Sequence, residues 1–342
     1  MTDQPKPFAS RATSYDVARL AGVSQSAVSR CFKPGASVSK KMRGRVMAAA
    51  DQLQYRPNAI ARGLITQRSN LVAVLVSSQM NFYYPEVLFQ LTDRFSKKGL
   101  RVLLFTINEE TDVADSLDQI WQYQADGVIS ASYLSVQQHK FLEERGIPTI
   151  SFNRYFENYA TNSIWCDHGV AVEEMVNHLI GFGHKRIALL QGPDYSMVSD
   201  ARMRLVREAA KSQGAHIVCE ARGTYRYESA AAATQLLMAN KPKPTTIIAA
   251  NDMMAMGAID ELRNVMGLRV PADVSVAGFD GIGAAQFASY EVSTSRQPIS
   301  RMADAAVSML WDRIEKPGIS AERRVLMGSF VQGTSTGPAP NS

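Results

Sequence analysis

The pattern of apolar and polar positions divides the chain into a short helical front and a longer part of alternating strands and helices. Between Thr13 and Phe32, apolar residues recur at helical spacing in two short runs that Gly22 separates. A third run of helical spacing, which follows Ser39, consists of Met42, Val46, Ala49, Ala50 and Leu53. The front of the chain is therefore expected to form three short helices around a small core.

From Leu71 onward, short apolar runs rich in β-branched residues alternate with stretches of helical spacing. The runs are 71–77, 100–106, 126–132, 148–153, 186–192, 216–221, 246–251 and 273–280. This alternation predicts βαβ units with right-handed crossovers, and hence α/β lobes with doubly wound parallel sheets. Four runs precede and four follow about Trp165, so we expect two doubly wound lobes. Ligands bind such lobes outside the carboxyl ends of the strands, which predicts a cleft between them.

The first two helices have the spacing of a helix-turn-helix. Thr13 and Ser24 can cap them, and Gly22 can supply the left-handed residue that ends the first helix. The residues expected in the core of the three helices include Val17, Leu20 and Val28. The residues expected to face outwards near the start of the second helix are Gln25, Ser26, Ser29 and Arg30. Such a helix can read base edges in a DNA major groove, where an arginine can bond guanine in a bidentate manner.

The positive charge is concentrated in the front of the chain. Residues 1–68 contain twelve Lys and Arg against three Asp and Glu, a net charge of +9, whereas the remainder has a net charge of −4. A cationic front on a mildly acidic body is typical of phosphate-backbone binding. The cations expected to contact phosphates at the start of the third helix are Lys40, Lys41, Arg43 and Arg45. The alternative is a solvated basic tail.

The composition argues against several other classes of protein. The three cysteines, Cys31, Cys166 and Cys219, lie far apart in the 342 residues and are expected to be reduced. No apolar run has the length of a membrane span, and the amino terminus lacks the apolar core of a secretory signal. The five histidines have no metal-ligand spacing, and nucleophile-elbow and phosphate-loop motifs are absent. The glycine cluster at 278–283 is weak evidence for a dinucleotide loop. We therefore expect no enzyme, cofactor or metal.

Four motifs connect the chain to a known family. They are Thr13-Ser14-Tyr15-Asp16-Val17-Ala18, Ala21-Gly22-Val23-Ser24, Val28-Ser29-Arg30 and Tyr55-Arg56-Pro57-Asn58-Ala59. With these motifs the chain resembles the lactose/galactose repressor family of bacterial transcription regulators, and the resemblance continues to the C-terminus. It implies that the two lobes are of the periplasmic-binding-protein type. It implies a cytoplasmic, nucleoid-associated regulator, most often a repressor. Such a regulator binds near-palindromic operator DNA as a homodimer and responds to a small-molecule effector, such as a sugar or sugar acid.

The resemblance also suggests roles for residues of the front part. The base-reading candidates are Gln25, Ser26 and Arg30, the phosphate candidates are Tyr15, Ser39, Lys41 and Arg43, and Ser29 and Asn58 complete the DNA-binding set. In the family, the segment that follows the third helix folds as a hinge helix when two subunits lie side by side on DNA. Its leucine, which is Leu64 here, enters the minor groove as a wedge. The alternative is a plain linker in which Leu64 is an early core residue.

Aromatic and polar residues follow the predicted strands and are expected to open onto the cleft. In the family, the positions that contact the effector match Phe82, Arg154, Arg202, Tyr225, Asn251 and Asp280, and we add Tyr83 and Gln297 as candidates. Aromatic rings and hydrogen-bonding side chains suit a small polyol. Singly, Phe82 could be core filler, and Asn251 and Asp280 could be helix caps. The family usually has a second acid where this chain has Gly281, and two arginines could favour an acidic sugar or a phosphate ester.

The expected domain boundaries follow from these patterns. We expect a disordered arm at 1–12, a headpiece at 13–56, a hinge or linker at 57–68, and an effector-binding and dimerisation domain at 69–342. Within the last domain, one lobe is expected to contain about 69–165 and 298–325, and the other about 166–297 and 326–336. No apolar heptads follow Phe330, so a dimer is expected rather than a tetramer. The competing classes are a transport receptor without gene control and an enzyme of sugar or nucleotide metabolism.

Overall fold

A computed structural model describes residues 12–33, 35–57, 68–77, 82–107, 113–154 and 159–340. The chain divides into two compact units, Met1–Ser69 and Asn70–Ser342. Asn58 and Leu64, both predicted to contact DNA, lie outside the described residues. Within the ranges that the structure describes, no helix is both long enough and apolar enough to cross a membrane.

The first unit contains the three predicted helices. They are α1 (Ser14–Ala21), α2 (Gln25–Cys31) and α3 (Lys40–Gln52). Thr13 begins α1 in a capping box with Asp16, and Gly22 ends it in the left-handed conformation at φ 61°. The side chains of Ser24 and Ser39 cap α2 and α3 by accepting backbone N–H groups. Local sequence signals therefore set the start of each of these helices.

The core of the first unit lies where the three helices meet. Val17, Val28 and Val46 are at most 1% exposed and belong to one apolar cluster. The expectation that Leu20 faces this core is wrong, because its side chain is 47% exposed. Ala21 takes the inward position instead, since it lies about one helical turn after Val17.

The first half of the second unit builds a parallel sheet. Its elements are β1 (Leu71–Ser77), α4 (Tyr83–Lys97), β2 (Arg101–Ile107), α5 (Ala114–Gln122), β3 (Gly127–Ser130), α6 (Val136–Glu144), β4 (Thr149–Phe152) and β5 (Asn162–Asp167). A strand from the end of the chain, β11 (Arg323–Met327), completes the strand order β11-β5-β4-β3-β1-β2. Every pairing in this sheet is parallel, so the carboxyl ends of its strands lie at one edge.

The second half builds a similar sheet. Its elements are α7 (Gly169–Gly181), β6 (Arg186–Gln191), α8 (Met197–Ser212), β7 (His216–Arg222), α9 (Ser229–Met238), β8 (Thr246–Ala249), α10 (Asp252–Asp260), β9 (Ser275–Asp280), β10 (Ser293–Arg296), α11 (Ile299–Glu315) and β12 (Ser329–Val331). The strand order is β12-β10-β9-β8-β6-β7, and β12 alone among the described strands runs antiparallel to its neighbour. Helix α11 packs against α4 and the first sheet. The parallel first sheet and the largely parallel second sheet confirm the predicted fold class.

The strands that the apolar runs did not predict are β5, β10, β11 and β12. Each of them carries polar residues, as in Ser293-Thr-Ser-Arg296, so none reads as a long apolar run. Trp165 lies inside β5, which pairs with β4 in the first sheet. The chain therefore leaves the first sheet after Asp167.

Three connections join the two sheets, and they touch at one glycine. They follow β5, β10 and β11. The N–H of Gly328 donates to the carbonyl oxygen of Asp167 at 2.8 Å. A Cβ added to Gly328 would lie 3.1 Å from Cys166 Sγ and 3.2 Å from the carbonyl oxygen of Arg296. A side chain at this position would therefore push the connections apart.

Candidate functional site

The predicted base-reading residues lie at the exposed side of α2. Ser26, Ser29 and Arg30 are exposed. Gln25 is half-buried, and its Nε2 donates to Ser14 Oγ at 3.3 Å, which restrains the side chain against α1. Small polar side chains with one long cation allow a helix to approach base edges closely and to bond them.

The predicted phosphate contacts differ in how the fold uses them. Tyr15 is 69% exposed on α1, and Lys41 is exposed on α3. Arg43 is half-buried, and its Nη2 donates to the carbonyl oxygen of Ala36 at 3.3 Å. The hydroxyl of Ser39 accepts a backbone N–H of α3 at 3.3 Å and keeps its own proton for another acceptor. All four groups can therefore still offer a donor to a phosphate.

Arg45 has a structural contact that the sequence did not reveal. Its Nη2 donates to the carbonyl oxygen of Ala21, and to that of Gly22 at 3.3 Å. Carbonyls at the end of a helix lack helical partners, so the guanidinium satisfies them and ties α3 to the turn between α1 and α2. The expectation that Arg45 contacts phosphate is not supported by these bonds.

Side chains from the carboxyl ends of both sheets line an open cleft. Its empty volume, which includes space open to solvent, is about 510 Å³. The described residues that line it are Ser77, Tyr83, Tyr84, Asn153, Arg154, Tyr195, Ser196, Val198, Arg202, Tyr225 and Asp280. The structure thus brings together the predicted ligand residues Tyr83, Arg154, Arg202, Tyr225 and Asp280, which lie far apart in the sequence.

The other predicted ligand residues lie outside the described lining of the cleft. Phe82 is 56% exposed, whereas Asn251 and Gln297 are buried. Asn251 caps α10 by accepting the N–H of Met254 at 2.9 Å, as the alternative interpretation predicted. Asp280 caps no helix, because its carboxylate bonds side chains in the cleft instead.

A buried ion pair forms the floor of the cleft. Arg202 Nη2 lies 2.6 Å from Asp280 Oδ1, and Gln297 Nε2 donates to the same oxygen at 2.8 Å. The guanidinium also lies over the ring of Phe279 and donates from Nη1 to the carbonyl oxygen of Ala250 at 2.7 Å. Burial raises the pKa of the Asp280 carboxyl, and the neighbouring guanidinium opposes this shift. The pair cancels the charge of one of the two arginines that suggested an acidic ligand.

Two tyrosine hydroxyls in the cleft are protonated. Tyr83 Oη donates to Gln297 Oε1 at 3.1 Å, which links α4 to the segment after β10. Tyr225 Oη lies 2.7 Å from Ser196 Oγ. Burial raises the pKa of Tyr83 well above its usual value and that of Tyr225 to about 12. Both rings therefore present an apolar face and a neutral hydroxyl, as polyol binding requires.

Asp252 is a functional candidate that the family resemblance does not imply. It is fully buried at the start of α10, next to the cap Asn251. Its Oδ2 accepts the N–H groups of Gly281 at 2.7 Å and Ile282 at 3.0 Å, and Thr294 Oγ1 donates to Oδ1 at 2.7 Å. Burial, with Asp280 nearby, raises the pKa of Asp252 to about 8. The only sequence signal was its place directly after a strand end.

Reactive and metal-binding clusters are scarce in the part of the chain that the structure describes. No group of three or more His, Cys, Asp or Glu side chains there could hold a metal ion. Cys31, Cys166 and Cys219 are free thiols. Burial raises the pKa of Cys166 to about 12, which keeps it protonated and unreactive.

The fold and its two sites define a class of protein: a helix-turn-helix unit followed by a two-lobed ligand-binding unit. Residues 13–58 match the model of the bacterial regulatory proteins, lacI family, and residues 176–336 match a periplasmic binding protein-like domain. The chain therefore joins a lacI-family DNA-binding domain to a periplasmic binding protein-like domain.

Full-length relatives support this assignment. The ribose operon repressor of Escherichia coli (strain K12) is 28% identical over 317 residues, which are 91% of this chain and 96% of that protein. The crystal structure of the lac repressor dimer bound to operator and the anti-inducer ONPF has a TM-score of 0.85 at 27% identity and covers 95% of this chain and 99% of that one. The structure of a transcriptional regulator CelR–cellobiose complex has a TM-score of 0.70 at 26% identity, and the match covers 95% of this chain and 100% of that chain.

Proposed function

We propose that this protein is a transcriptional repressor that binds near-palindromic operator DNA as a homodimer, and that a small molecule in the cleft controls its operator affinity. One observation carries the proposal: a helix-turn-helix with an exposed polar face precedes a polar and aromatic cleft in the same chain. The ligand class is a sugar, a sugar acid or a related metabolite. The names of the ribose operon repressor and the CelR–cellobiose complex support this class.

The residue roles belong to the same proposal. Gln25, Ser26 and Arg30 read bases, with Ser29 beside them, and Tyr15, Ser39, Lys41 and Arg43 contact phosphates, while Asn58 and Leu64 act in the hinge. Effector contacts come from Tyr83, Arg154, Arg202, Tyr225 and Asp280. An effector changes operator affinity only if it binds one arrangement of the protein better than another. The protein acts where its operator is, in the cytoplasm, and the proposal includes no catalytic step.

Binding of the purified chain to fluorescent duplexes, selected from a random pool, tests the DNA-binding part. Arg30→Ala is expected to lose discrimination between the selected duplex and a scrambled one, because the arginine reads a base. Lys41→Ala is expected to weaken binding to both duplexes similarly, and to reduce the slope of log affinity against log salt by about one. Absence of salt-dependent affinity for any duplex would refute the proposal. Full discrimination in Arg30→Ala would refute its base-reading role.

A thermal-shift screen with D-ribose, D-glucose, cellobiose and D-gluconate tests the ligand class. A specific ligand raises the melting temperature by mass action. The same compound is then added to the duplex titration, where a change in operator affinity is expected. A ligand receptor without gene control would show the thermal shift but no affinity for DNA.

A further inference from the structure

The boundary between the two compact units falls at an uncommon backbone conformation. Asn70 is the first residue of the second unit, and its φ of 56° is left-handed, a conformation that few residues other than glycine adopt. Asparagine is among the residue types that tolerate it. The chain therefore changes direction at Asn70, directly before β1 begins at Leu71. Such a turn keeps one shape only where neighbouring groups bond it.

One carboxylate bonds this turn. Asp126 Oδ2 accepts the N–H of Asn70 at 2.8 Å, and the N–H of Asp126 donates to the carbonyl oxygen of Leu71, also at 2.8 Å. On the other side of β1, the N–H of Arg101 donates to the carbonyl oxygen of Asn70 at 2.8 Å. Arg101 begins β2, and Asp126 directly precedes β3. The entry of the chain into the second unit is thus bonded to both neighbouring strands.

Asp126 is itself held in place by the turn between α5 and β3. The N–H of Gln124 donates to the carbonyl oxygen of Trp121 at 3.0 Å, and that of Ala125 donates to the carbonyl oxygen of Ile120 at 3.2 Å. Ile120 and Ala125 are buried in an apolar cluster that also contains residues of β1 and β3. The carboxylate is therefore presented to Asn70 from a packed part of the lobe.

The opposite ends of the same strands face the cleft. Ser77, the last residue of β1, lines the cleft. Tyr84 also lines it, and its hydroxyl donates to the carbonyl oxygen of Ala131, just after β3, at 3.4 Å. The strands β2, β1 and β3 pair in parallel, and the seven residues of β1 span roughly 23 Å. One strand length therefore separates the cleft from Asn70.

We propose that Asp126 is a positioning residue that couples the cleft to the linker at 57–68. By bonding Asn70, it makes the first residue of the second unit part of the body formed by β2, β1 and β3. A movement of this sheet on effector binding then displaces the end of the linker without slack. Without the bond, the turn at Asn70 absorbs the movement. This role rests on the proposed control of operator affinity by the cleft.

Variants of Asp126 and one control separate coupling from general stability. Asp126→Ala removes the acceptor for the N–H of Asn70, whereas Asp126→Asn keeps an amide oxygen that can accept it. Asp118→Ala is the matched control, because it removes the same charge from an exposed position on α5 of the same lobe. Should Asp126→Ala not fold, Asp126→Ser replaces it, since the serine hydroxyl is polar but too short to reach Asn70.

The first measurement needs neither DNA nor a sugar. Hydrogen exchange of the full chain is followed at the amide of Asn70 by mass spectrometry with fragmentation to single residues. Exchange is expected to accelerate by about tenfold or more in Asp126→Ala, but not in Asp126→Asn or Asp118→Ala. The amide of Val74, in the middle of β1, is the internal reference and should exchange equally in all variants. An unchanged rate at Asn70 in Asp126→Ala would overturn the proposal.

The second measurement is the factor by which a sugar changes operator affinity. The duplex is the one selected from the random pool, and the sugar is the one that gives the largest thermal shift among D-ribose, D-glucose, cellobiose and D-gluconate. Coupling factors between two sites are commonly about 5 to 150. We expect the factor to fall below about three in Asp126→Ala and to keep its original value in Asp126→Asn and Asp118→Ala. Sugar affinity without DNA should stay within about threefold in all variants.

The outcomes separate this role from the proposed function. An unchanged coupling factor in Asp126→Ala would overturn the coupling role and leave the proposed function intact. A loss of sugar affinity in Asp126→Ala that accounts for the loss of coupling would also overturn it. If the unsubstituted chain binds no duplex, the proposed function fails, and the coupling role fails with it. If the chain binds a duplex but no sugar of the panel, the proposed ligand class fails, and the exchange at Asn70 decides the role of Asp126.

Discussion

Gly281 stands where the family usually has a second acid after the strand-end aspartate, and the structure gives a physical reason for the difference. Its φ is 74°, a left-handed value that favours glycine. The side chain of Arg296 occupies the space beside it, because an added Cβ would lie 2.4 Å from Arg296 Cγ. An acid at this position is therefore disfavoured by the backbone and would require the side chain of Arg296 on β10 to move.

Gly281→Ala is expected to lower the free energy of unfolding by about 2 kcal/mol, from the left-handed backbone and the clash with Arg296. Gly283→Ala is the matched control, since no atom lies within 4 Å of its added Cβ. Urea unfolding followed by tryptophan fluorescence measures both. Arg296→Ala combined with Gly281→Ala should recover only the part of the steric loss that comes from Cγ and Nε of Arg296, because its Cβ would still lie 2.7 Å from the added Cβ. Equal stabilities of the two single variants would contradict this explanation.

His139 gives the effector domain a dependence on acid pH. Burial lowers its pKa to about 4 from the usual 6.5, although Glu143 opposes the shift. The ring is neutral in the folded chain and is protonated in the unfolded chain below pH 6.5. Stability is therefore complete above about pH 6.5 and falls as the pH drops towards 4, by up to about 3 kcal/mol.

His139→Gln is expected to remove this part of the acid destabilisation. The measurement is the free energy of unfolding of both proteins between pH 4.5 and 7.5, where the difference between the two curves should change with pH. Parallel curves over this range would show that His139 does not titrate with a lowered pKa.

Single residues also show where sequence reasoning stops. Tyr83, Arg202 and Asp280 could be expected in one cleft, because each follows a strand and parallel strands end at one edge. The Arg202–Asp280 pair could not be expected, since it joins positions 78 residues apart and depends on where the sheet places α8 relative to the end of β9. The role of Asp252 was hidden for the same reason, because its partners lie after β9 and on β10.

At the scale of elements, local signals decided what could be predicted. The caps Thr13, Ser24 and Ser39 mark helix starts in the sequence because their side chains satisfy N–H groups within the same turn. Buried central strands such as β1 and β3 read as apolar runs. Strand β10 does not read as an apolar run, because it contains serine and threonine. Their hydroxyls are buried and hydrogen-bonded to residues distant in the sequence, as Thr294 is to Asp252. Such bonds appear only in the folded chain.

Gly44, in the middle of α3, has no packing role in the described structure. No atom lies within 4 Å of its added Cβ, and its φ is not positive. Gly44→Ala is therefore expected to stabilise α3 by about 1 kcal/mol. Gly35→Ala is the contrasting variant, because Gly35 has a φ of 72° and alanine would be strained there. Hydrogen exchange of the α3 amides in the full chain should slow in the first variant and accelerate in the second; slower exchange in both would refute the argument.

At the scale of the whole molecule, the two compact units have separate cores. Residues 17–50 contribute to one apolar cluster and residues after 71 to the others. Calorimetry of the full chain should therefore show more than one unfolding transition. A sugar that binds the cleft should raise only the transition of Asn70–Ser342, by mass action. A single transition that moves as a whole would show that the units unfold together.

The connections between the two sheets have a consequence for synthesis on the ribosome. Until residues 299–331 have been translated, the first sheet has neither its strand β11 nor the helix α11 that packs against it, and the second sheet has no strand β12. The helix-turn-helix unit is contiguous and its apolar cluster is complete once Tyr55 has emerged, so it can fold while most of the chain is still unmade. A nascent chain would thus carry a finished DNA reader well before it has a sensor able to respond to metabolites.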